Sequence, residues 1–83
     1  MSKISVKGFA VGFGTMWAVY MLFMALAAMF GHGAEFVNAF SSHYTGFEPS
    51  LVGGLAGAAW GFVDGAVTGG VIAAVYNLVV TRL

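Results

Sequence analysis

Two long apolar segments dominate this sequence and restrict the folds that it can adopt. Residues 8–30 contain no Asp, Glu, Lys or Arg, and residues 50–81 contain only Asp64. About 20 mostly apolar residues in a helix are enough to cross the hydrocarbon core of a bilayer, which is roughly 30 Å thick. Of the 83 residues, 60% are hydrophobic and only 7% are charged, unlike a typical soluble domain. We therefore predict an all-α membrane protein, a two-helix transmembrane hairpin with the lipid bilayer as its first partner.

The two segments predict a single membrane domain over residues 1–83. Transmembrane helix 1 is expected at residues 8–30, an outer connection at 31–49 and transmembrane helix 2 at 50–81. At 1.5 Å per residue the last segment is about 48 Å long, so it has to tilt, kink or protrude from the bilayer. A secretory signal peptide is the alternative for the first segment, but the apolar part of such a peptide is usually only about 7 to 15 residues long.

The connection contains its own helical pattern. Phe36, Val37, Phe40 and Tyr44 recur at the spacing of one helix face, which predicts a short amphipathic helix at the membrane interface. Its apolar face would lie on the membrane or on the two spans. Residues 45–49 include a Gly and the only Pro of the chain, so we expect a loop there.

The distribution of basic residues predicts the topology. Lys3, Lys7 and Arg82 lie near the chain ends, whereas the connection carries Glu35 and Glu48 and no Lys or Arg. Since Lys and Arg are enriched in cytoplasmic segments, we expect both termini on the cytoplasmic side of the inner membrane and the connection outside.

Small residues recur every four positions in the second segment. Helices in a bilayer associate by close backbone approach, because lipid tails are as apolar as leucine side chains, and small residues permit that approach. A four-residue step turns about 40° around the helix, so the stripe winds and its partner should cross in the right-handed sense. The predicted stripe consists of Gly53, Gly57, Gly61, Gly65, Gly69 and Ala73.

The first segment offers a matching face of small residues. On a helical wheel its small side chains project from one side and its bulky ones from the other. The small side includes Ala10, Gly14, Ala18, Ala25 and Ala28, and the bulky side includes Phe9, Phe13, Met16, Tyr20 and Phe23. The simplest arrangement packs small face on small face, although a second copy or a foreign subunit could equally cover the stripe.

Asp64 is the one charged residue in the second segment and lies about 60° from Gly61 on the wheel. A carboxylate at membrane depth is costly, so we expect it to be protonated, paired or close to water. Its role would be a proton or cation site or, as we prefer, a hydrogen bond that keeps the helices in register. Together with Thr68 and Asn77 it forms the predicted set of buried polar residues.

Other kinds of chemistry find little support in the sequence. The chain has no Cys and a formal net charge of zero, which gives no reason to expect a disulfide or a nucleic-acid partner. His32 and His43, with the acidic residues of the connection, do not match a known closed metal site. We therefore predict no cofactor, no metal and no enzymatic activity.

Four stretches of the chain resemble a known family. They are Gly-Ala-Glu-Phe-Val-Asn at 33–38, Ser-Ser-His-Tyr-Thr-Gly at 41–46, Trp-Gly-Phe-Val-Asp-Gly at 60–65 and Tyr-Asn-Leu at 76–78. They resemble small bacterial and archaeal membrane proteins labelled bacteriophage-holin-like. The resemblance covers roughly residues 8–80 and implies a two-helix membrane protein. A true holin would oligomerise and perforate the inner membrane.

A second resemblance is to the rotor-ring proteolipid of ATP synthases, which is also a glycine-rich hairpin with a membrane carboxylate. That family has its glycine repeat on the first helix and its carboxylate on the second, whereas here the glycines and Asp64 share one helix. The sequence thus leaves three functions. In order of preference they are a structural or accessory subunit that packs through the glycine stripe, a holin-like oligomeric pore, and a proton-carrying proteolipid.

Overall fold

The computed structural model describes residues 2–83, which fold into three α-helices. Helix α1 spans Val6–Met29, α2 spans Ala34–Ser41 and α3 spans Leu51–Val80. This range contains no β-strand. The predicted all-helical class, with two long apolar helices and a short helix between them, is confirmed. The molecule is a rod of 48 × 19 × 18 Å.

Side-chain caps explain where the two long helices begin. The Ser5 hydroxyl accepts a hydrogen bond from the Gly8 amide at 2.9 Å, and the Ser50 hydroxyl accepts one from the Gly53 amide at 2.8 Å. Both serines have extended backbone angles, as N-cap residues usually do. Each hydroxyl satisfies an amide that has no partner within its helix.

A glycine ends α1. Gly31 has a φ of 87°, a left-handed conformation that costs glycine little. Its amide donates to the Ala28 carbonyl at 3.1 Å, and the next amide, of His32, donates to the Ala27 carbonyl at 3.0 Å. This is the Schellman arrangement of a helix C-terminus, and it turns the chain away from α1 toward α2.

Helices α1 and α3 run antiparallel and pack through their small residues. The Cβ–Cβ distance between an alanine placed at Gly70 and Ala10 would be 3.6 Å, an ordinary contact. Nearer the middle there is no such room, because a Cβ on Gly14 would lie 2.7 Å from the Phe62 carbonyl oxygen. The two backbones are therefore in direct contact at Gly14.

The outside of the hairpin is apolar on nearly every side. Phe23, Val63 and Val67 expose 63%, 59% and 63% of their surfaces. In the most apolar 18-residue stretches of α1 and α3, only 17% and 22% of the residues are buried. By length and composition both helices could cross a membrane.

Helix α2 folds back along α1. The ring of Phe36 meets Tyr20 edge-on at 5.6 Å, and the ring of Phe40 lies 6.4 Å from Trp17. Val37 is almost fully buried beneath them. The apolar face of the short helix thus lies on α1 alone, rather than on both long helices as one of the two predicted positions required. The main buried cluster comprises Met21, Ala25, Ala28, Val37, Tyr44 and Phe47.

Two hydrogen bonds between the Asn77 side chain and the Ile4 backbone, here called the Ile4–Asn77 clamp, join the N-terminal segment to the end of α3. The Ile4 amide donates to the Asn77 side-chain oxygen at 2.8 Å, and the Asn77 side-chain amide donates back to the Ile4 carbonyl at 2.8 Å. These paired bonds fix the segment before α1 against the last turns of α3. Asn77 is half-buried, and its two polar atoms are both used in this clamp.

Candidate functional site

Asp64 receives a chain of hydrogen bonds that begins on α1. The Trp17 indole N–H donates to the Tyr44 hydroxyl oxygen at 3.1 Å, and the Tyr44 hydroxyl donates to Asp64 Oδ2 at 2.6 Å. An indole nitrogen is only a donor, so Trp17 occupies a lone pair of the tyrosine and leaves its proton for the carboxylate. The three side chains come from α1, the connection and α3.

Tyr44 is held in place from several directions. Its backbone amide donates to the Phe40 carbonyl at 2.8 Å, which continues the turn of α2. Its ring stacks on Trp60 with a centroid distance of 6.2 Å and an interplanar angle of 13°. Only 5% of the residue is exposed. Burial, and next the hydrogen bond to Asp64, raise the pKa of the Tyr44 phenol above its usual value, so the hydroxyl remains a proton donor.

The connection reaches far down the hairpin to bring Tyr44 to this position. The Trp60 indole N–H donates to the Thr45 carbonyl at 2.9 Å. Trp60 lies nine residues after the start of α3, which at 1.5 Å per residue is about 14 Å along the helix. The chain therefore descends along the hairpin through α2 and returns before α3 begins.

An acidic groove lies beside this hydrogen-bond chain. Phe13 and Trp17 are one helical turn apart on α1, and Asp64 and Thr68 are one turn apart on α3. Gly65 lies between them at the floor of the groove and is itself buried, because its Cα packs directly against α1 at Gly14 and Trp17. The groove has a volume of about 170 Å³ and is lined by Phe13, Trp17, Asp64, Gly65 and Thr68.

A second and shallower groove lies beyond Tyr44. It shares Tyr44 and Asp64 with the site and adds the imidazole of His43 and the indole of Trp60. Its lining residues are His43, Tyr44, Trp60, Val63, Asp64 and Val67. Asp64 therefore borders both grooves, with the Tyr44 hydroxyl bound to one of its oxygens.

The contact between Gly14 and Gly65 fixes the level of Asp64 along the hairpin. A Cβ on Gly65 would lie 2.9 Å from the Gly14 Cα atom. Gly14 is seven residues after Lys7 and fifteen before Met29, or about 10 Å and about 22 Å along α1. Asp64 is thus level with the interior of the first apolar segment and far from either end of it.

The structure buries the predicted stripe of small residues inside the hairpin. All six positions of the stripe on α3 are buried. Gly14 on α1 is buried, and Ala10 and Ala18 are half-buried. Added Cβ atoms at Gly61 and Gly69 would approach Met21 Cγ to 2.9 Å and Phe13 Cβ to 2.7 Å. Added Cβ atoms at Gly53 and Gly57 would instead meet Glu48 and Phe47, so α1 covers the stripe at Gly61, Gly65 and Gly69, and the connection covers its first two glycines.

The predicted burial of the polar residues differs from what the single chain shows. Asp64 and Thr68 are exposed, and Asn77 is half-buried. Asp64 and Thr68 flank the stripe, so they border the seam between α1 and α3 and face the groove. We predicted a hydrogen bond from Asp64 that keeps the helices in register. The bond observed joins Asp64 to Tyr44 of the connection, and α1 takes part only through Trp17, which binds the Tyr44 hydroxyl.

Sequence reasoning missed Tyr44 and Trp17 as partners of Asp64. Tyr44 was recognised only as part of the apolar face of a short helix. Trp17 is 27 residues from Tyr44, which is 20 residues from Asp64, so no local pattern links them. The signal available in the sequence was a single carboxylate in the second apolar segment together with aromatic side chains that can form hydrogen bonds.

The site defines a class of structure, a helical hairpin whose connection folds back to bind a carboxylate on the second long helix. Among residues 2–83 no group of three or more His, Asp or Glu side chains is placed to hold a metal ion. Comparison of the chain with family models, with curated proteins and with solved structures gives no match.

Proposed function

We propose that this chain is a non-enzymatic integral protein of the inner membrane that serves as a structural or accessory subunit of a larger membrane complex. The observation that carries the proposal is the bulky apolar surface around a hairpin whose glycine stripe is already buried within the chain. Both long helices are sufficiently long and apolar to span a bilayer, and about four-fifths of their most apolar stretches remain unburied by the chain itself.

The glycine stripe supports this role by making the hairpin narrow and rigid. Because α1 and the connection together cover the stripe within one chain, a neighbouring subunit would meet the outer face, where Phe23 and Val67 project. Membrane helices associate through shape-matched packing, and a rigid hairpin presents a fixed surface for it. The small unit could therefore fill a gap between larger subunits.

The polar residues favour this role over a pore. A water-filled pore needs polar groups along its length, but Asn77 is paired with Ile4 at one end and Asp64 and Thr68 lie in a single groove. The holin-like oligomer implied by the family resemblance, and a proteolipid that carries protons on Asp64, are the functions that the experiment must separate from ours.

Site-specific photocrosslinking in native membranes tests the proposal. A photoreactive side chain at Phe23 or Val67 should form adducts of discrete mass with one recurring foreign subunit. The matched control is Met21, which is fully buried in the seam and should form none. Adducts with copies of the chain alone, together with dye release from liposomes, would support a holin-like pore. Adducts with lipid alone would contradict a subunit role.

A further inference from the structure

We propose that the groove beside Asp64 binds an organic ammonium ion, with the Asp64 carboxylate as counter-ion and the Trp17 and Phe13 rings as walls. This inference goes beyond the accessory role and does not depend on it. It rests on the charge, lining and shape of the groove.

The carboxylate is available for a cation. Tyr44 donates to one of its oxygens, Oδ2, and the side chain is exposed to the groove. The strong cations of the chain lie elsewhere. Lys7 is about 10 Å along α1 from Gly14, which packs level with the site, and Arg82 is 18 residues, or about 27 Å, along α3 from Asp64. The Asp64 charge therefore has a hydrogen-bond donor but no strong cation of its own chain at its level.

The lining selects the type of cation. Divalent metal ions such as calcium take about six to eight oxygen ligands, and the only side chains with oxygen atoms in this groove are Asp64 and Thr68. Its remaining walls are aromatic rings and glycine backbone. An alkylated ammonium ion is poorly hydrated, and its charge is attracted by the negative faces of aromatic rings, with tryptophan the most effective. A carboxylate beside Trp17 and Phe13 fits such an ion.

The shape of the groove agrees with this ligand. Its volume of about 170 Å³ suits a small substituted ammonium head. It opens between α1 and α3 to the outside of the hairpin, so an apolar substituent on the nitrogen could extend along the exposed helix surface. The Trp17 indole N–H is fixed by its bond to Tyr44, which holds the ring in place before a ligand arrives.

The two tryptophans give a direct readout of binding. The chain has only Trp17 and Trp60, so an NMR spectrum of the protein in micelles contains two indole N–H signals. Trp17 lines the proposed site, whereas Trp60 lies in the second groove on the far side of Tyr44. On titration with benzyltrimethylammonium at constant ionic strength, the Trp17 signal should shift in a saturable manner and the Trp60 signal should move little.

Variants then separate charge from simple apolar contact. Asp64→Asn keeps an acceptor for the Tyr44 hydroxyl and should weaken binding at least about tenfold. Glu35→Gln removes a carboxylate outside the groove and should leave the affinity unchanged. If Asp64→Asn does not fold, Phe13→Leu keeps the charge, removes one wall and should weaken binding several-fold.

Three results would overturn the inference. The first is the absence of a saturable Trp17 shift in the unchanged protein. The second is equal binding of benzyl alcohol, which has a similar ring and no charge. The third is equal affinity of the Asp64→Asn variant. Each can occur whether or not the protein is a subunit of a larger complex, so the two proposals fail independently.

Discussion

Tyr44 is the residue at which the connection and the two long helices meet. Its hydroxyl accepts from Trp17 on α1 and donates to Asp64 on α3, while its ring stacks on Trp60. A buried hydroxyl without a partner costs about 1–3 kcal/mol, so both bonds matter for the position of the connection. Asp64 therefore has a structural role through Tyr44 in addition to any ligand it binds.

Replacing Asp64 distinguishes hydrogen bonding from charge at this position. We expect Asp64→Asn to retain most of the thermal stability in detergent, because the amide oxygen can accept from Tyr44. Asp64→Leu removes the acceptor and should cost about 1–3 kcal/mol of unfolding free energy. In a Tyr44→Phe background the difference between Asn and Leu should largely disappear. Loss of an ion or proton flux in Asp64→Asn, with assembly intact, would instead favour the proteolipid function.

The raised pKa of Tyr44 predicts an effect at alkaline pH. Burial and the bond to Asp64 favour the protonated phenol in the folded protein. A pKa above the unfolded value of about 10 means that this contribution to stability is complete below about pH 10. It is lost as the pH rises through the folded pKa. Ultraviolet titration of tyrosinate should show one of the three tyrosines ionising late, and Tyr44→Phe should remove that late step. Three tyrosines that all titrate near pH 10 would contradict the prediction.

At the scale of the element, the seam between α1 and α3 depends on the absence of side chains. A Cβ on Gly61 would approach Met21 Cγ to 2.9 Å and the Trp17 carbonyl oxygen to 3.2 Å. A methionine side chain can move aside, but a helix carbonyl can do so only if the helices separate. A larger side chain at Gly61 would thus remove dispersion contacts along several turns at once.

A pair of leucine substitutions on α3 tests this seam. Gly61→Leu should force the helices apart and lower the stability by about 1–3 kcal/mol or more, as overpacking does. Val63→Leu is the matched control, because Val63 faces outward with 59% of its surface exposed. Thermal unfolding and particle size in mild detergent would measure both. Equal behaviour of the two variants would mean that the regular spacing of the glycines has no packing role.

At the scale of the whole molecule, the hairpin brings both chain ends to one end of the rod and the connection to the other half. The Ile4–Asn77 clamp joins the termini, and Lys3, Lys7 and Arg82 lie around it. All three strong cations therefore belong to the same end. This arrangement is what the positive-inside rule requires for a hairpin with cytoplasmic termini.

Cysteine labelling in intact cells tests that topology, because the chain has no cysteine of its own. Ser42 and Ser2 are both exposed, so neither position is shielded by the protein. Because Ser42 adjoins Tyr44 at the depth of Asp64, the better outer position is His32, which is exposed in the turn just after α1. With His32→Cys, an impermeant maleimide added from outside should react. With Ser2→Cys, it should react only after the membrane is permeabilised. The reverse pattern would place the termini outside.

The sequence by itself determined where the helices form and which side of α3 carries the small residues. The lengths of the apolar segments, the apolar spacing in the connection and the spacing of the small residues are local properties, so the three helices and the stripe could be predicted from them. Burial of the polar residues could not be predicted from local properties, because one turn of a helix separates a position inside the seam from one at its edge. Only the tertiary structure decided that α1 and the connection cover the stripe, since α1 and a second chain offer the same kind of small-residue surface. It also decided that the connection folds back by about 14 Å to join Tyr44 to Asp64. Contacts between residues distant in the chain depend on the register of α1 and α3 and on the path of the loop, neither of which leaves a periodic pattern in the sequence.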